Sequence, residues 1–290
     1  MPQPSDPNEA LVPVIVGNAE LAADKGRGDE NFPVGSLLIR SDLRAHVHAY
    51  YAFARAADDI ADAPGLPPAQ KIARLDVMEE VLLGRRNDGS PTALTLRKSL
   101  AATGVSSVHA TDLLIAFRQD ATKRRYATID ELYNYCRYSA VPVGRFVLDL
   151  HGENHTTYSP SDALCISLQV LNHLQDTAKD LETLDRCYLP QTIMEHFRVP
   201  LSDIRLRETT PGLRRVYGTL LDRVDRLNQA ATELPEIVRS RRLRMETGII
   251  VGLARRLARR LAENDALATR VKLNKSDVIS SALSAMRYLL

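Results

Sequence analysis

Residues 51–62 read Tyr-Ala-Phe-Ala-Arg-Ala-Ala-Asp-Asp-Ile-Ala-Asp. Alanine dominates the stretch and neither Gly nor Pro interrupts it, so it is predicted to be helical. Asp is a poor helix-interior residue, because its carboxylate competes for nearby backbone groups. Asp58, Asp59 and Asp62 therefore oppose the local preference and need another reason to be there. At about 3.6 residues per turn, Tyr51, Arg55, Asp58 and Asp62 fall on one stripe. A second stretch repeats the pattern. Within residues 169–180, Asn172, Asp176 and Asp180 recur every four positions and share one helical face.

Either motif alone is commonly a solvated face. Both lie among Ala, Ile and Leu, where charged groups are seldom placed unless they are paired or metal-bound. Two helices that aim oxygen ligands into one space clamp a hard cation, and such cations favour phosphate partners. If the helices face each other, the pattern predicts a diphosphate held through Mg²⁺.

A chain of 290 residues is ample for a buried core. Abundant Ala, Leu and Arg with widely spaced Pro predict an all-α chain. A formal net charge of +2 argues against a nucleic-acid partner, and no zinc-finger or glycine-rich reader motif supports one. Cys136, Cys165 and Cys187 form no Cys-x-x-Cys pair, which fits a reducing cytoplasm. No signal-peptide layout is present, and no apolar run approaches the roughly 20 residues that span a bilayer. A cytoplasmic protein is expected, with at most peripheral contact at the inner face of the cell membrane. The arginines at 239, 241, 242, 244, 255, 256, 259 and 260 make the late helix basic. Its plain reading is a solvated face; the sharper one is attraction to anionic lipid.

Residues 1–17 are expected to be a flexible segment and 18–290 a single domain. Helices are predicted over 10–25 with a break at Pro13, then 40–63, 69–83, 92–103 and 107–120. Pro64-Gly65-Leu66-Pro67-Pro68 separates two of these, and Gly84 suits a helix end. Lys123-Arg124-Arg125 reads as a solvated turn. Thr128-x-x-Glu131 has capping-box spacing, and Pro142 should break the helix it starts. Ser159-Pro160 should open the second motif helix. Further helices are expected within 191–209, from Pro211 to about 234, over 236–264 and over 276–290. His151 and His155 fall in a polar loop and are not expected to hold metal.

These motifs resemble the squalene and phytoene synthase family. Asp58-x-x-x-Asp62 is similar to its first signature. Asn172-x-x-x-Asp176-x-x-x-Asp180, followed by Asp185-Arg186-Cys187-Tyr188-Leu189-Pro190, is similar to its second. Three stretches resemble the bacterial hydroxysqualene synthase branch, which serves hopanoid biosynthesis. They are Glu30-Asn31-Phe32-Pro33-Val34, residues 135–145 from Tyr135 to Arg145, and Asn172-His173-Leu174-Gln175-Asp176. The resemblance runs from about Asn18 to the C-terminus.

It implies a single-domain all-α isoprenoid synthase bundle around a central apolar cavity. It also implies Mg²⁺ held by Asp58, Asp62, Asn172, Asp176 and Asp180. Presqualene diphosphate, or another prenyl diphosphate, would lose its diphosphate, rearrange and be quenched by water rather than hydride. Tyr51, Arg55 and Tyr135 would take catalytic roles. Asn31, Phe32, Asp59, Arg137, Gln169, Lys179 and Tyr188 would contact substrate. Tyr135 also reads as a core tyrosine, and Asn31 as a turn or cap residue. Two other functions fit the same residues: a head-to-head synthase condensing prenyl diphosphates, and a catalytically silent subunit that binds a partner or a lipid. Asn31-Phe32-Pro33-Val34, Arg137 and Gln175 weigh against the first, and the intact carboxylates against the second.

Overall fold

The computed structural model describes residues 17–21 and 39–288. Asn31, Phe32 and most of the helix expected over 10–25 lie outside the described residues. The part of that helix which is described, 17–21, is irregular chain rather than helix. Among the described residues the chain is all-α, and its only extended pairing is an isolated bridge between Arg125 and Cys187.

Among the described residues twelve α-helices follow in order: α1 Arg44–Asp62, α2 Pro68–Leu82, α3 Pro91–Thr103, α4 Val108–Thr122, α5 Ile129–Ser139 and α6 Val141–Leu150. They continue with α7 Tyr158–Leu184, α8 Gln191–His196, α9 Pro211–Ala230, α10 Leu234–Ile237, α11 Arg241–Glu263 and α12 Lys275–Ala285. Local chemistry sets many of the boundaries. Pro68 stands in the first turn of α2, where its missing N–H costs nothing. The Ser90 side chain accepts from the Ala93 N–H to start α3, and Gly104 ends that helix at φ +73°. Thr128 caps α5 through the Glu131 N–H, while the Glu131 carboxylate accepts from Ala127. Thr210 opens α9 by accepting from Leu213.

Some boundaries differ from expectation. α1 begins at Arg44 because 41–43 form a turn, and α11 begins at Arg241 because Pro235 belongs to the separate short helix α10. α7 starts at Tyr158 with Thr157 before it, so Ser159-Pro160 lies inside the first turn. The basic run after α4 is not a solvated turn. Lys123 pairs with Glu131, Arg124 donates to the Leu184 carbonyl, and Arg125 pairs with Asp185.

Two apolar cores result. One joins α1, α2, α3 and α4 around Phe53, Ile60, Leu75 and Met78, and includes Phe146 of α6, whose ring stacks on Tyr50 at 4.0 Å. The other joins α5, α7, α9 and α11 around Leu132, Leu171, Val216 and Leu257. The break at Ala140, one residue before the Val141-Pro142 start of α6, lets α5 and α6 take separate directions. Gly144 then allows α6 to lie close on α7: a Cβ there would stand 2.6 Å from Cys165 Sγ and from Ser161 Oγ. α1 and α7 thus belong to different cores, and the space flanked by both holds the candidate site.

Candidate active site

α1 buries Tyr50, Phe53, Ala57 and Ile60, which leaves Tyr51, Arg55, Asp58 and Asp62 half-buried on its other side. The stripe read from the sequence is therefore real. Arg55 Nη1 donates to Asp58 Oδ2 at 2.8 Å, a pairing of residues three apart on one face. Asp59 is half-buried beside it. On α7, Asn172, Asp176 and Asp180 are likewise half-buried, while Leu171, Leu174 and Gln175 are buried. Asp180 lies 4.0 Å from His173 Nδ1, whose other ring nitrogen is 3.1 Å from Gln169 Nε2. Gln169 thus joins the stripe through a histidine.

What ties the two stripes together is Arg186. Asp185 ends α7 in the left-handed region at φ 51°, a conformation that Asp tolerates better than most residues. The chain turns there, and the buried Arg186 reaches back across 124 residues of sequence. Its Nη1 donates to Asp62 Oδ1 at 2.6 Å, its Nη2 donates to the Ala61 carbonyl at 3.2 Å, and Asp120 Oδ1 lies 3.8 Å away. Lys71 Nζ, also buried, donates to the same Ala61 carbonyl at 2.8 Å. Burial pulls the Lys71 ammonium below its ordinary value, and the guanidiniums of Arg186 and Arg124 pull it further.

Asp120 is the buried hub beneath this bridge. Burial pushes its carboxyl up to about 6, while Arg186 and the hydroxyls of Tyr135 and Tyr188 pull it back. Tyr135 donates to Asp120 Oδ2 at 2.8 Å and Tyr188 to Oδ1 at 3.1 Å. Burial raises both phenols far above their usual range, so they remain donors. Tyr126 packs against both, and Tyr188 stacks on the His173 ring at 3.6 Å.

An apolar cavity of about 270 Å³ adjoins the stripes. Val47 of α1 and Leu168 of α7 line it, one helical turn before Tyr51 and Asn172. On both helices the same face therefore runs from apolar wall to oxygen ligands. Val143, Val147, Leu243 and Ile250 complete much of the wall. One acidic side chain, that of the buried Glu246, stands among the lining residues.

The structure brings together Tyr51, Arg55, Asp58, Asp59 and Asp62 on α1, and Gln169, Asn172, Asp176 and Asp180 on α7. Arg137 and Lys179 are both exposed. Lys179 follows Asp176 by three and Asn172 by seven, so it borders the α7 stripe with its charge in solvent. Tyr135 and Tyr188 are core residues whose hydroxyls serve Asp120, so they support the site from below. Arg186, Asp120, Lys71, Glu246 and Arg270 were not singled out as site residues from the sequence. Of these, Arg186 carries a signal as part of Asp185-Arg186-Cys187-Tyr188-Leu189-Pro190, and Asp120 as the residue that the helix expected over 107–120 presents at its end.

All five expected metal ligands are hard oxygen donors, the chemistry that Mg²⁺ takes. In the structure the carboxylates are neutralised by the protein itself. Asp58 pairs with Arg55 and Asp62 with Arg186, while Asp176 accepts from Arg270 at 2.8 and 2.9 Å. Among the described residues no three acidic, histidine or cysteine side chains converge on one point. The donor set fits the ion, with arginines as the groups a metal would displace.

The sequence model of the squalene/phytoene synthase family matches residues 25–277. A hydroxysqualene synthase from Rhodopseudomonas palustris is 42% identical over 268 residues, covering 92% of this chain and 91% of the relative. One from Zymomonas mobilis is 39% identical over 269 residues, covering 92% and 90%. The crystal structure of squalene synthase HpnC from Alicyclobacillus acidocaldarius superposes with a TM-score of 0.70 at 33% identity, over 80% of this chain and 88% of that one.

Proposed function

The chain belongs to the squalene/phytoene synthase family and is an isoprenoid synthase acting on prenyl diphosphates; on that footing we propose that it converts presqualene diphosphate and water into hydroxysqualene and diphosphate. The observation that carries this reading is that α1 and α7 both line one apolar cavity and each runs, a helical turn on, into a stripe of oxygen donors. A substrate with a long hydrocarbon body and a diphosphate head needs that order of surfaces.

Asp58, Asp62, Asn172, Asp176 and Asp180 would hold Mg²⁺, which when bound supplies positive charge to stabilise the departing diphosphate. The residues of the chain do the rest. Arg55 and Arg270, which partner Asp58 and Asp176, stand where they add cationic charge beside the head group. The carbon–oxygen bond breaks with its electron pair leaving on the diphosphate. The cyclopropylcarbinyl cation left behind opens and rearranges against Val143, Val147 and Leu168, which supply neither nucleophile nor base. The Tyr51 ring, on the same stripe as Val47, offers a face that steadies the positive charge.

Water then adds to the rearranged cation, and its surplus proton needs an acceptor. Glu246 is the carboxylate among the residues lining the cavity, so it receives that proton and holds the water in line. The products are one neutral alcohol and one diphosphate. An oily alcohol is released toward lipid, so a protein working at the inner membrane face is part of this reading.

The test is a product assay with Mg²⁺ and without NADPH, offering presqualene diphosphate and farnesyl diphosphate separately. Hydroxysqualene from the first alone is expected; consumption of farnesyl diphosphate would move the protein to condensing chemistry. In the Glu246→Gln protein, diphosphate release should stay within about threefold while the alcohol fraction falls about tenfold in favour of hydrocarbons. An unchanged product ratio would remove Glu246 from the mechanism and leave the rest standing.

A further inference from the structure

The described residues expose nine large apolar side chains, and four of them crowd into one short segment: Val278, Ile279, Leu283 and Met286. Leu283 is 63% exposed and Ile279 60%. Ile279, Leu283 and Met286 are spaced by four and three, which places them on one face of α12 and its terminal turn. α12 packs against α11 with its other side. There Gly252 and Gly248 let it come close: a Cβ on Gly252 would meet Ser281 Oγ at 3.0 Å, and one on Gly248 the Tyr288 ring at 2.7 Å. The apolar stripe is thus left facing outward by a helix that is otherwise well seated.

Beside the stripe, α11 and α12 enclose a polar cleft of about 370 Å³. Arg255, Arg256, Arg259, Ser284, Arg287 and Tyr288 are among its lining residues. Arg256 donates to the hydroxyls of Ser280 and Ser281, and the carboxylate of Asp277 is shared between Arg256 at 3.9 Å and Arg260 at 2.8 Å. Arg255, Arg259 and Arg287 are exposed and form no ion pair with any described carboxylate, although Glu236 lies near enough to Arg287 to be felt. Residues 239–288 hold twelve Arg and Lys against four Asp and Glu, in a chain whose formal net charge is only +2. The positive charge is therefore concentrated in this part of the chain.

We propose that the outer face of α12, with the arginine cleft it shares with α11, docks the protein on an anionic phospholipid bilayer. Guanidiniums meet lipid phosphates while Ile279, Leu283 and Met286 enter the boundary between headgroups and acyl chains. A second copy of the chain fits poorly, because a symmetric contact would set these arginines against their own counterparts. No helix among the described residues is long and apolar enough to cross a membrane, so attachment of this part of the chain would be superficial. α11 supplies Leu243, Thr247 and Ile250 to the apolar cavity and Gly248, Gly252 and Arg255 to the cleft. The cavity would then lie a single helix away from the lipid.

The experiment is co-sedimentation of the full chain with vesicles of phosphatidylcholine alone, or of phosphatidylcholine with about one third phosphatidylglycerol. Binding only to the anionic vesicles is expected, weakening steeply between about 0.1 and 0.5 M salt. Arg255→Glu with Arg259→Glu, and separately Ile279→Ser with Leu283→Ser, should each cut partitioning about tenfold. Melting curves of both variants establish that the fold persists. Equal binding to both vesicle types, binding to neither, or full binding by either folded variant would overturn the proposal. Inorganic phosphate that raises the melting temperature without vesicle binding would reassign the cleft to a free anion. A dimer in light scattering that both variants dissolve would assign the face to self-association.

Discussion

Asp62 on α1 and Asp176 on α7 occupy similar places in similar stripes, yet they are neutralised in opposite ways. Asp62 is held by Arg186, which is buried, also touches Asp120 and is fixed by a left-handed turn at Asp185. Asp176 is held by Arg270, which lies exposed in the segment between α11 and α12. Gln175 anchors that segment by donating to the Val271 carbonyl. A buried ion pair that loses one member strands the other in low dielectric, whereas an exposed pair contributes little to stability. The α1 carboxylate is built into the architecture, and the α7 carboxylate is guarded by a partner that can let go.

Removing Arg186 should have the largest effect on folding. Arg186→Leu leaves Asp62 and Asp120 without their shared cation and should cost about 3–5 kcal/mol in urea denaturation. A loss under about 1 kcal/mol would mean the two pairs are equivalent. Asp62→Ala and Asp176→Ala should each lower turnover about a thousandfold, because under the proposed function each would remove a ligand for the ion that holds the diphosphate. Only Asp62→Ala should also lower the melting temperature, since it alone removes the carboxylate that is hydrogen-bonded to a buried guanidinium. Equal melting temperatures for the two variants would dissolve the contrast.

The hub beneath Arg186 makes a pH prediction. Because burial raises the Asp120 carboxyl to about 6, the folded protein binds a proton there that the unfolded chain has already released. The associated stability is present below about pH 4 and declines as pH rises through about 6, by roughly 3 kcal/mol in all. Asp120→Asn should flatten that decline in melting curves taken between about pH 4 and 7. The smallest effect belongs to Arg270. Arg270→Ala should change stability by less than about 1 kcal/mol, and that little should vanish in high salt.

Much of this site was legible from local pattern. A helical stripe depends only on residues three and four apart, so Tyr51, Arg55, Asp58 and Asp62 could be placed on one face before any contact was known. Asn172, Asp176 and Asp180 could be placed in the same way. Lys179, three after Asp176 and seven after Asn172, could likewise be placed at the edge of that stripe, although its exposure could not. Tyr135 was legible as a buried tyrosine and not as the donor to Asp120, because that bond joins α5 to α4.

The sequence by itself determined the all-α class, most helix ends and the two stripes of oxygen-bearing side chains, since caps, breakers and periodicity act within a turn or two of chain. Tertiary structure decided which charges meet. Arg186 reaches Asp62 across 124 residues, Arg270 reaches Asp176 across 94, and Glu246 joins a cavity whose other walls come from α1, α6, α7 and α10. Such pairings are chosen by how two separate cores close around a shared space, and no local preference encodes that choice.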